Sequence, residues 1–403
     1  MNVYLLGLIT FLNASCIGLV IPVMFNYASS LGLDNVLVGL LFATFPFAQF
    51  LATPVIGRLS DRYGRKTLLV ISLLGTFFAS LIQALATNGW MLFLGRFLDG
   101  ITGGNTSVVQ AAIADSAKNK DKTFEFALSG AAHGLGFLFG TLLALFISRI
   151  GNFYVYMSAA FLALIATAIT LFFLPETNLY RETKPLNVVE LVFLQIFRAF
   201  KLPVIRDILI ISLVTGISLM LFQVTFQPYI TMNFGYGQDE ITQVMILNGL
   251  MSIAFLGLKW IVDRFGLIRL LKLTFLLRLL VFLILALIID RYVFWGAMLI
   301  LAVTNLVGRP VISNMISNYA RKEDQGAAMG VAESMYSIGL IIGPSIFSIA
   351  TIPLNNGFTL GFEMLNNALI TTASNYTLPF YFMALISLIT YVHVIKFTKQ
   401  IES

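Results

Sequence analysis

The chain has 403 residues, of which 58% are hydrophobic and only 11% are charged, and its mean hydropathy is +0.90. This composition excludes an ordinary soluble globular protein and is typical of a polytopic membrane protein. The formal charge of +6 does not indicate nucleic-acid binding, because the basic residues cluster at the ends of apolar segments. The one cysteine, Cys16, lies in the first apolar segment, so no disulfide can form within the chain.

Twelve apolar segments follow one another along the chain, and most are long enough to cross roughly 30 Å of hydrocarbon. Because the membrane core holds no water, helices are the elements that satisfy the backbone there. The sequence therefore predicts an all-α polytopic membrane protein with twelve transmembrane helices. The predicted helices are 3–28, 35–57, 67–86, 90–113, 125–148, 153–174, 207–232, 240–262, 270–289, 293–316, 326–350 and 378–397.

Lysines and arginines are concentrated in the connections on one side of the predicted membrane, whereas the other side holds Arg149 and Arg291. The positive-inside rule places both termini and the long middle connection in the cytoplasm. Residues 186–200 of that connection are apolar but too short to cross, which favours an interfacial helix. The predicted divisions are a first half at 1–178, a linker at 179–206 and a second half at 207–403, each half being a six-helix bundle.

The two halves resemble each other as repeats. The stretch from Asp61 to Gly64 recurs 202 residues later, where Asp263, Arg264 and Gly266 keep the pattern. A repeat of half the chain length is what a transporter built of two pseudo-symmetric bundles requires. The second copy is eroded, since Lys259 replaces the first glycine of the pattern.

Residues 57–66, between the second and third predicted helices, hold one acid, four bases and two glycines. They resemble the loop signature of the major facilitator superfamily, G-x-L-x-D-R-x-G-R-K. A generic positive-inside loop would explain the bases but not the ordered Gly57, Asp61 and Gly64. The resemblance implies a fold of two six-helix bundles that alternates access to a central cavity.

Further motifs narrow the resemblance to the twelve-helix drug:proton antiporters of the tetracycline-efflux type. They are Gly95-Arg96, Ala112 to Asp115, the glycines of the fifth helix and Leu174 to Thr177. Two positions depart from that branch. Asn13 stands where the branch usually has an acid, and Gly140 is followed by Thr141 instead of proline. Both departures favour an alternative without proton antiport.

Ionisable side chains at membrane depth are the site candidates, because each costs roughly 2.5–3.5 kcal/mol on insertion scales. Arg96 and Asp99 are three residues apart and share one helix face. The resemblance points Arg96 into the cavity, and the alternative is a pair that only lowers insertion cost. Asp99 and Glu333 are the predicted proton carriers, and the alternative for Glu333 is a carboxylate that reaches cytoplasmic water. The predicted cavity residues are Asn13, Arg96, Asp99, His133, Gln223, Gln227, Asn305, Arg309 and Glu333.

Two further groups of residues are predicted to serve gating and helix packing. The resemblance implies that Asp61 meets the start of the eleventh helix and that Arg65 meets an acid, for which Asp115 is the candidate. The gating residues are Gly57, Asp61, Arg62, Gly64, Arg65, Asp115, Asp263, Arg264 and Gly266. The helix-contact glycines are Gly130, Gly134, Gly136, Gly140, Gly330, Gly339 and Gly343, for which plain packing is an equal interpretation. Lys259 and Arg278 are expected to lie near cytoplasmic ends and to extend towards water.

The predicted function is proton-coupled efflux of a small amphipathic drug or metabolite from a bacterial cytoplasm, by a monomer in the inner membrane. One alternative is an uptake or facilitative carrier for a metabolite, siderophore or sugar. Another is a receptor or scaffold that does not transport. The sequence shows no Walker loop for ATP, no metal-ligating cluster and no catalytic triad, so neither an enzyme nor a cofactor is expected. The loop at 351–377 is interpreted as a connector or a lid.

Overall fold

A computed structural model describes residues 3–103, 108–109, 111–113, 122–178, 203–253, 264–319, 325–350 and 377–402. Almost all of these residues are helical, which confirms the predicted all-α fold. The helices are α1 Val3–Ser30, α2 Asn35–Tyr63, α3 Arg65–Ala84, α4 Gly89–Thr102, α5 Lys122–Ile147, α6 Asn152–Phe173, α7 Pro203–Phe234, α8 Gln238–Ile253, α9 Leu267–Leu287, α10 Arg291–Tyr319, α11 Gln325–Ala350 and α12 Leu378–Glu402. Within the described residues, nine segments are long and apolar enough to cross a membrane.

Most helix boundaries lie within a few residues of the prediction, and the fourth helix differs most. The prediction extended it to residue 113, but α4 ends at Thr102, and Gly103 follows as its C-cap. Residues 108–109 and 111–113 are again helical. The predicted interfacial helix at 186–200 and most of the 351–377 loop lie outside the described residues.

The internal repeat is visible in the backbone as well as in the sequence. Gly64 and Gly266 precede α3 and α9 with φ of +105° and +76°, values that favour glycine. The hydroxyl of Tyr27 donates to the carbonyl of Gln83 at 3.3 Å. Tyr229, 202 residues after Tyr27, donates in the same way to the carbonyl of Leu285 at 3.1 Å. The two halves therefore share local packing and not only a loop motif.

Contacts group the described residues into two compact units. One unit takes Met1–Gly32, Thr44–Arg198 and Gln238–Gly257, and the other takes Leu33–Ala43, Ala199–Gly237 and Leu258–Ser403. These units differ from the predicted halves because α8 packs on α5 in one unit, and the start of α2 packs on α11 in the other. The predicted domain boundaries around the 179–206 linker stay a prediction.

Glycines let α5 approach α1, and α11 approach α7, with backbone against backbone. A Cβ on Gly136 or Gly140 would collide with the carbonyl of Phe11 or Ser15 in α1. Gly339 and Gly343 of α11 face the α7 backbone in the same way. Close packing is thus observed at these four positions.

The remaining predicted contact glycines differ. A Cβ on Gly130, like one on Gly57 of the loop motif, would meet no described atom within 4 Å. Gly134 is buried in α5. The surroundings of Gly330 lie outside the described part of the structure. Close approach therefore does not explain Gly57 or Gly130 within the described part of the chain.

Candidate functional site

A buried ion pair lies inside the first unit, where α4 faces α3. The Arg96 Nη1 atom is 4.0 Å from Asp99 Oδ2, and the side chains are 7% and 17% exposed. Thr76 of α3 donates its hydroxyl to Asp99 Oδ1 at 2.9 Å. The Arg96 guanidinium also lies 4.6 Å from the centre of the Phe45 ring of α2. The pair predicted from its spacing is therefore held by three helices, and its carboxylate is enclosed by polar partners.

The other predicted cavity residues are distributed over several helices. Asn13 is half-buried in α1, whereas His133 of α5 and Glu333 of α11 are exposed. Gln223 is half-buried and Gln227 is fully buried in α7. The side chain of Arg309 lies outside the described residues. A role that these residues share with the Arg96–Asp99 pair stays a prediction.

The interpretation of Arg278 as a residue that extends towards water is wrong. Its side chain is 2% exposed, because its position in the middle of α9 directs it at α10. Nη2 donates to Asn305 Oδ1 at 2.8 Å and, more weakly, to the carbonyl of Thr304 at 3.4 Å. Arg278 is thus another buried guanidinium, and it places the predicted cavity residue Asn305 in a polar contact.

The loop motif at 57–66 is bound by a residue that sequence reasoning quoted without a role. Glu176, in the connection after α6, accepts the backbone N–H of Arg65 at 2.8 Å and of Lys66 at 3.3 Å. These are the first N–H groups of α3, where a carboxylate is favourable. A Cβ on Gly64 would collide with the Glu176 carboxylate, so space as well as φ requires glycine there.

The side-chain partners that the resemblance implied are only partly described. Arg65 is buried and donates through Nη1 to Ser60 Oγ. Arg62 is exposed and lies 5.6 Å from the Tyr63 ring, and Arg264 is exposed as well. The side chain of Asp61 and all of Asp115 and Asp263 lie outside the described residues. The predicted contacts of Asp61 and Asp115 therefore stay predictions.

A second set of contacts joins the start of α8 to first-half helices within the same unit. Arg149, after α5, pairs with Asp239 with an N–O distance of 2.6 Å. Asn26 of α1 donates to Gln238 Oε1 at 2.8 Å, and Gln238 donates to the carbonyl of Pro22 at 2.9 Å. The sequence prediction did not include these residues, because each is an ordinary polar residue at a helix end.

A family model described as Major Facilitator Superfamily matches residues 3–344 of the chain. The chain belongs to this superfamily.

Curated relatives of this facilitator chain include resistance proteins. It is 28% identical to the class H tetracycline resistance protein of Pasteurella multocida, over 86% of this chain and 88% of that one. It is 27% identical to the class B tetracycline resistance protein of Escherichia coli, over 85% and 86%. It is 30% identical to multidrug resistance protein 1 of Bacillus subtilis, over 82% and 84%.

Solved facilitator structures have the same fold. The nucleoside transporter NupG has a TM-score of 0.78 at 14% identity, with 99% of this chain and 100% of that chain covered. The human organic anion transporter MFSD10 (TETRAN) has a TM-score of 0.75 at 18% identity, with 97% and 98% covered. At these identities the likeness shows the fold of a membrane transporter alone.

Proposed function

We propose that this protein exports a small amphipathic drug or metabolite from the cytoplasm and that inward proton flow drives the export. The relatives above are resistance proteins, which supports efflux over uptake or a receptor role. The proposal is carried most directly by Asp99, a largely buried carboxylate that accepts a hydrogen bond from Thr76 and pairs with Arg96. A carboxyl group at membrane depth that exchanges a proton is what proton coupling requires.

Asp99 also provides an ionisable carboxyl group, whereas Asn13 replaces the acid that the resembling branch usually has in its first helix. Asn13 cannot titrate, but Asp99 lies in the same unit as α1. Glu333 is the second proposed carrier, and its exposure in α11 gives it access to solvent or ligand. The substrate would meet a cavity that includes Gln223, Gln227, Asn305 and Arg309.

Alternating access would require the contacts at the ends of the helices to break and re-form. We assign the Arg149–Asp239 pair and the Asn26–Gln238 hydrogen bond to the extracytoplasmic side, because the lysine and arginine asymmetry puts Arg149 there. The loop motif, with Arg65 and Glu176, lies at the cytoplasmic side on the same argument. A change that weakens one set shifts the population towards the opposite state.

The test is substrate-driven pH change in proteoliposomes that contain the purified protein in a bacterial inner-membrane lipid mixture. A panel of cationic, neutral and anionic amphipathic compounds is first screened by thermal stabilisation, and the binders are then used for transport. We expect proton movement opposite to the movement of a stabilising compound. Transport without proton movement would exclude antiport and favour a facilitative carrier. Absence of transport for every stabilising compound would favour the receptor.

A further inference from the structure

Five buried side-chain polar atoms of the first unit have no hydrogen-bond partner among the described residues, and three of them lie on helices that pack together: Gln83 Oε1, Arg96 Nε and the Tyr156 hydroxyl. The three side chains belong to α3, α4 and α6 and are 2%, 5% and 0% exposed. Buried polar atoms are nearly always paired, by protein or by ordered water. Three unpaired atoms on helices that pack together therefore point to bound water or another ligand that pairs them.

These three residues are neighbours. Their helices pack on one another, since α3 contacts both α4 and α6. Gln83 packs against Gly95, the residue before Arg96, so closely that a Cβ there would lie 2.5 Å from Gln83 Cγ. Tyr27 joins them, because its ring is 5.4 Å from the Tyr156 ring and its hydroxyl donates to the carbonyl of Gln83.

The chemistry of the three atoms fits internal water. The Gln83 oxygen accepts a hydrogen bond, the Arg96 Nε–H donates one, and the Tyr156 hydroxyl does both. A buried water makes two to four hydrogen bonds, and these partners supply that number. The same arginine is paired with Asp99 through Nη1, so water bound at Nε lies beside the proposed proton carrier.

Gln83, Tyr156, Arg96 and Asp99 also lie at increasing distances from the predicted extracytoplasmic ends of their helices. Gln83 is at the last turn of α3, and Tyr156 is in the second turn of α6, about 6 Å from its start. Arg96 is about 10 Å and Asp99 about 15 Å from the start of α4. These three helix ends lie on the side of Arg149, which is the predicted extracytoplasmic side. Asp99 is therefore near the middle of a hydrocarbon core of about 30 Å.

The second half shows that the fold does not need these polar groups. At the positions 202 residues after Gln83, Arg96 and Asp99 it has Leu285, Met298 and Leu301, all buried. Phe380, which has no hydroxyl, lies against Tyr229 at 4.8 Å as Tyr156 lies against Tyr27. The tyrosine-to-carbonyl bonds of the repeat are kept in both halves. Gln83, Arg96 and Asp99 are therefore not needed for this packing, which favours a functional role for these three side chains.

We propose that Gln83, Arg96 and Tyr156 bind internal water that conducts protons between the extracytoplasmic side and Asp99. A proton arrives as a hydrated proton and converts the Asp99 carboxylate into a carboxylic acid. The Tyr156 hydroxyl gives up one proton and takes another, and Arg96 stays protonated throughout. The described titratable groups around this path are Cys16 and Tyr27 of α1, besides Arg96, Asp99 and Tyr156. The proposal rests on proton-coupled transport as the function.

The test uses Tyr156→Phe and Gln83→Leu, which copy the side chains that the second half packs at the equivalent places. Tyr229→Phe is the matched control, since it removes a buried tyrosine hydroxyl outside the path. Each protein is reconstituted, and two rates are measured with one stabilising compound from the screen. One is uptake driven by a pH gradient, and the other is substrate counterflow, which needs no net proton movement.

We expect each path variant to lower the gradient-driven rate about tenfold or more, with counterflow changed less than about twofold. The Tyr229→Phe control is expected to keep the ratio of the two rates. Parental rates in the Gln83→Leu and Tyr156→Phe double variant would overturn the water path. Equal loss of both rates would overturn it too, because that result indicates a structural role. If the parent protein itself shows no gradient-driven transport, the proposed function fails instead.

Discussion

The α3–α4 pair and the α9–α10 pair occupy equivalent places in the repeat but enclose buried charge differently. In α4, Arg96 is 4.0 Å from the Asp99 carboxylate, so the site is neutral overall. In α9, Arg278 stands where the first half has Thr76, and its closest partner is the Asn305 amide oxygen at 2.8 Å. Among the described residues no carboxylate lies within 4.0 Å of Arg278.

The difference between the two helix pairs shows which buried side chains the packing of the helices does not require. Both pairs pack well, although one holds an acid and the other an apolar leucine at the matching position. Replacing a buried ion pair by apolar side chains is often neutral or stabilising, so stability does not account for Asp99. The α3–α4 pair thus holds the proposed proton carrier, whereas the α9–α10 pair holds a buried positive charge.

The largest effect is expected when the charged side chains of α4 are replaced by the apolar side chains at the equivalent positions of α10. The double substitution Arg96→Met with Asp99→Leu copies Met298 and Leu301. We expect gradient-driven transport to fall by about 100-fold or more, because the proposed proton carrier is removed. Unfolding in detergent should show stability that is unchanged or raised, by up to about 4 kcal/mol. Strong destabilisation together with lost transport would mean that the pair is structural.

The single substitution Arg96→Met sharpens the same point. It leaves Asp99 buried without its cation, and breaking one side of a buried pair costs about 3 kcal/mol or more. Denaturant unfolding should therefore rank this variant below both the parent and the Arg96→Met, Asp99→Leu double variant. A single variant as stable as the double one would show that the two side chains are not coupled.

Glu176→Gln tests the contact that is special to the start of α3. Loss of the charge at the N-terminal N–H groups of α3 should lower stability by about 1 kcal/mol. Since that contact lies on the predicted cytoplasmic side, spin-label distances across that side should also shift towards an open state. The control is Glu240→Gln at the start of α8, away from the loop motif. Identical distances in Glu176→Gln and the parent would exclude a gating role.

Arg278→Met addresses the second half. Removal of a buried cation that has no described carboxylate partner should leave stability unchanged or raise it, because the desolvation cost of the charge is removed. The pH profile of transport should keep its shape, because this charge is fixed. A profile that shifts with Arg278→Met but not with a substitution at Arg96 would move the proton chemistry to the second half.

Arg149→Gln is expected to have the smallest effect on stability. The Arg149 and Asp239 side chains are 60% and 44% exposed, and such surface pairs contribute about 0–1 kcal/mol. The population of the outward-open state should still rise slightly, because the pair holds the start of α8 to the α5–α6 connection. Double electron–electron resonance on labels at these two helix ends measures that population. A loss of more than about 2 kcal/mol would contradict the surface-pair interpretation.

Sequence reasoning predicted the fold well, since length and hydropathy determine where helices can cross a membrane and the 202-residue repeat indicates two related halves. It also found the Arg96–Asp99 pair, because charge is rare in apolar helices. It missed the burial of Arg278, which depends on which face of α9 meets α10. It also missed Gln83 and Tyr156, since polar and aromatic residues near helix ends are common and only packing shows which are enclosed.

The most direct test of the central claim is the pH profile of transport by Asp99→Asn, measured in proteoliposomes beside Glu333→Gln and the parent. If Asp99 carries the proton, Asp99→Asn should still exchange substrate but should show a flat profile and no substrate-driven proton movement. Glu333→Gln should then keep most of the parental profile, whereas a flat profile in Glu333→Gln beside a parental one in Asp99→Asn would make Glu333 the carrier. An Asp99→Asn variant with the parental profile and the parental proton movement would contradict the account.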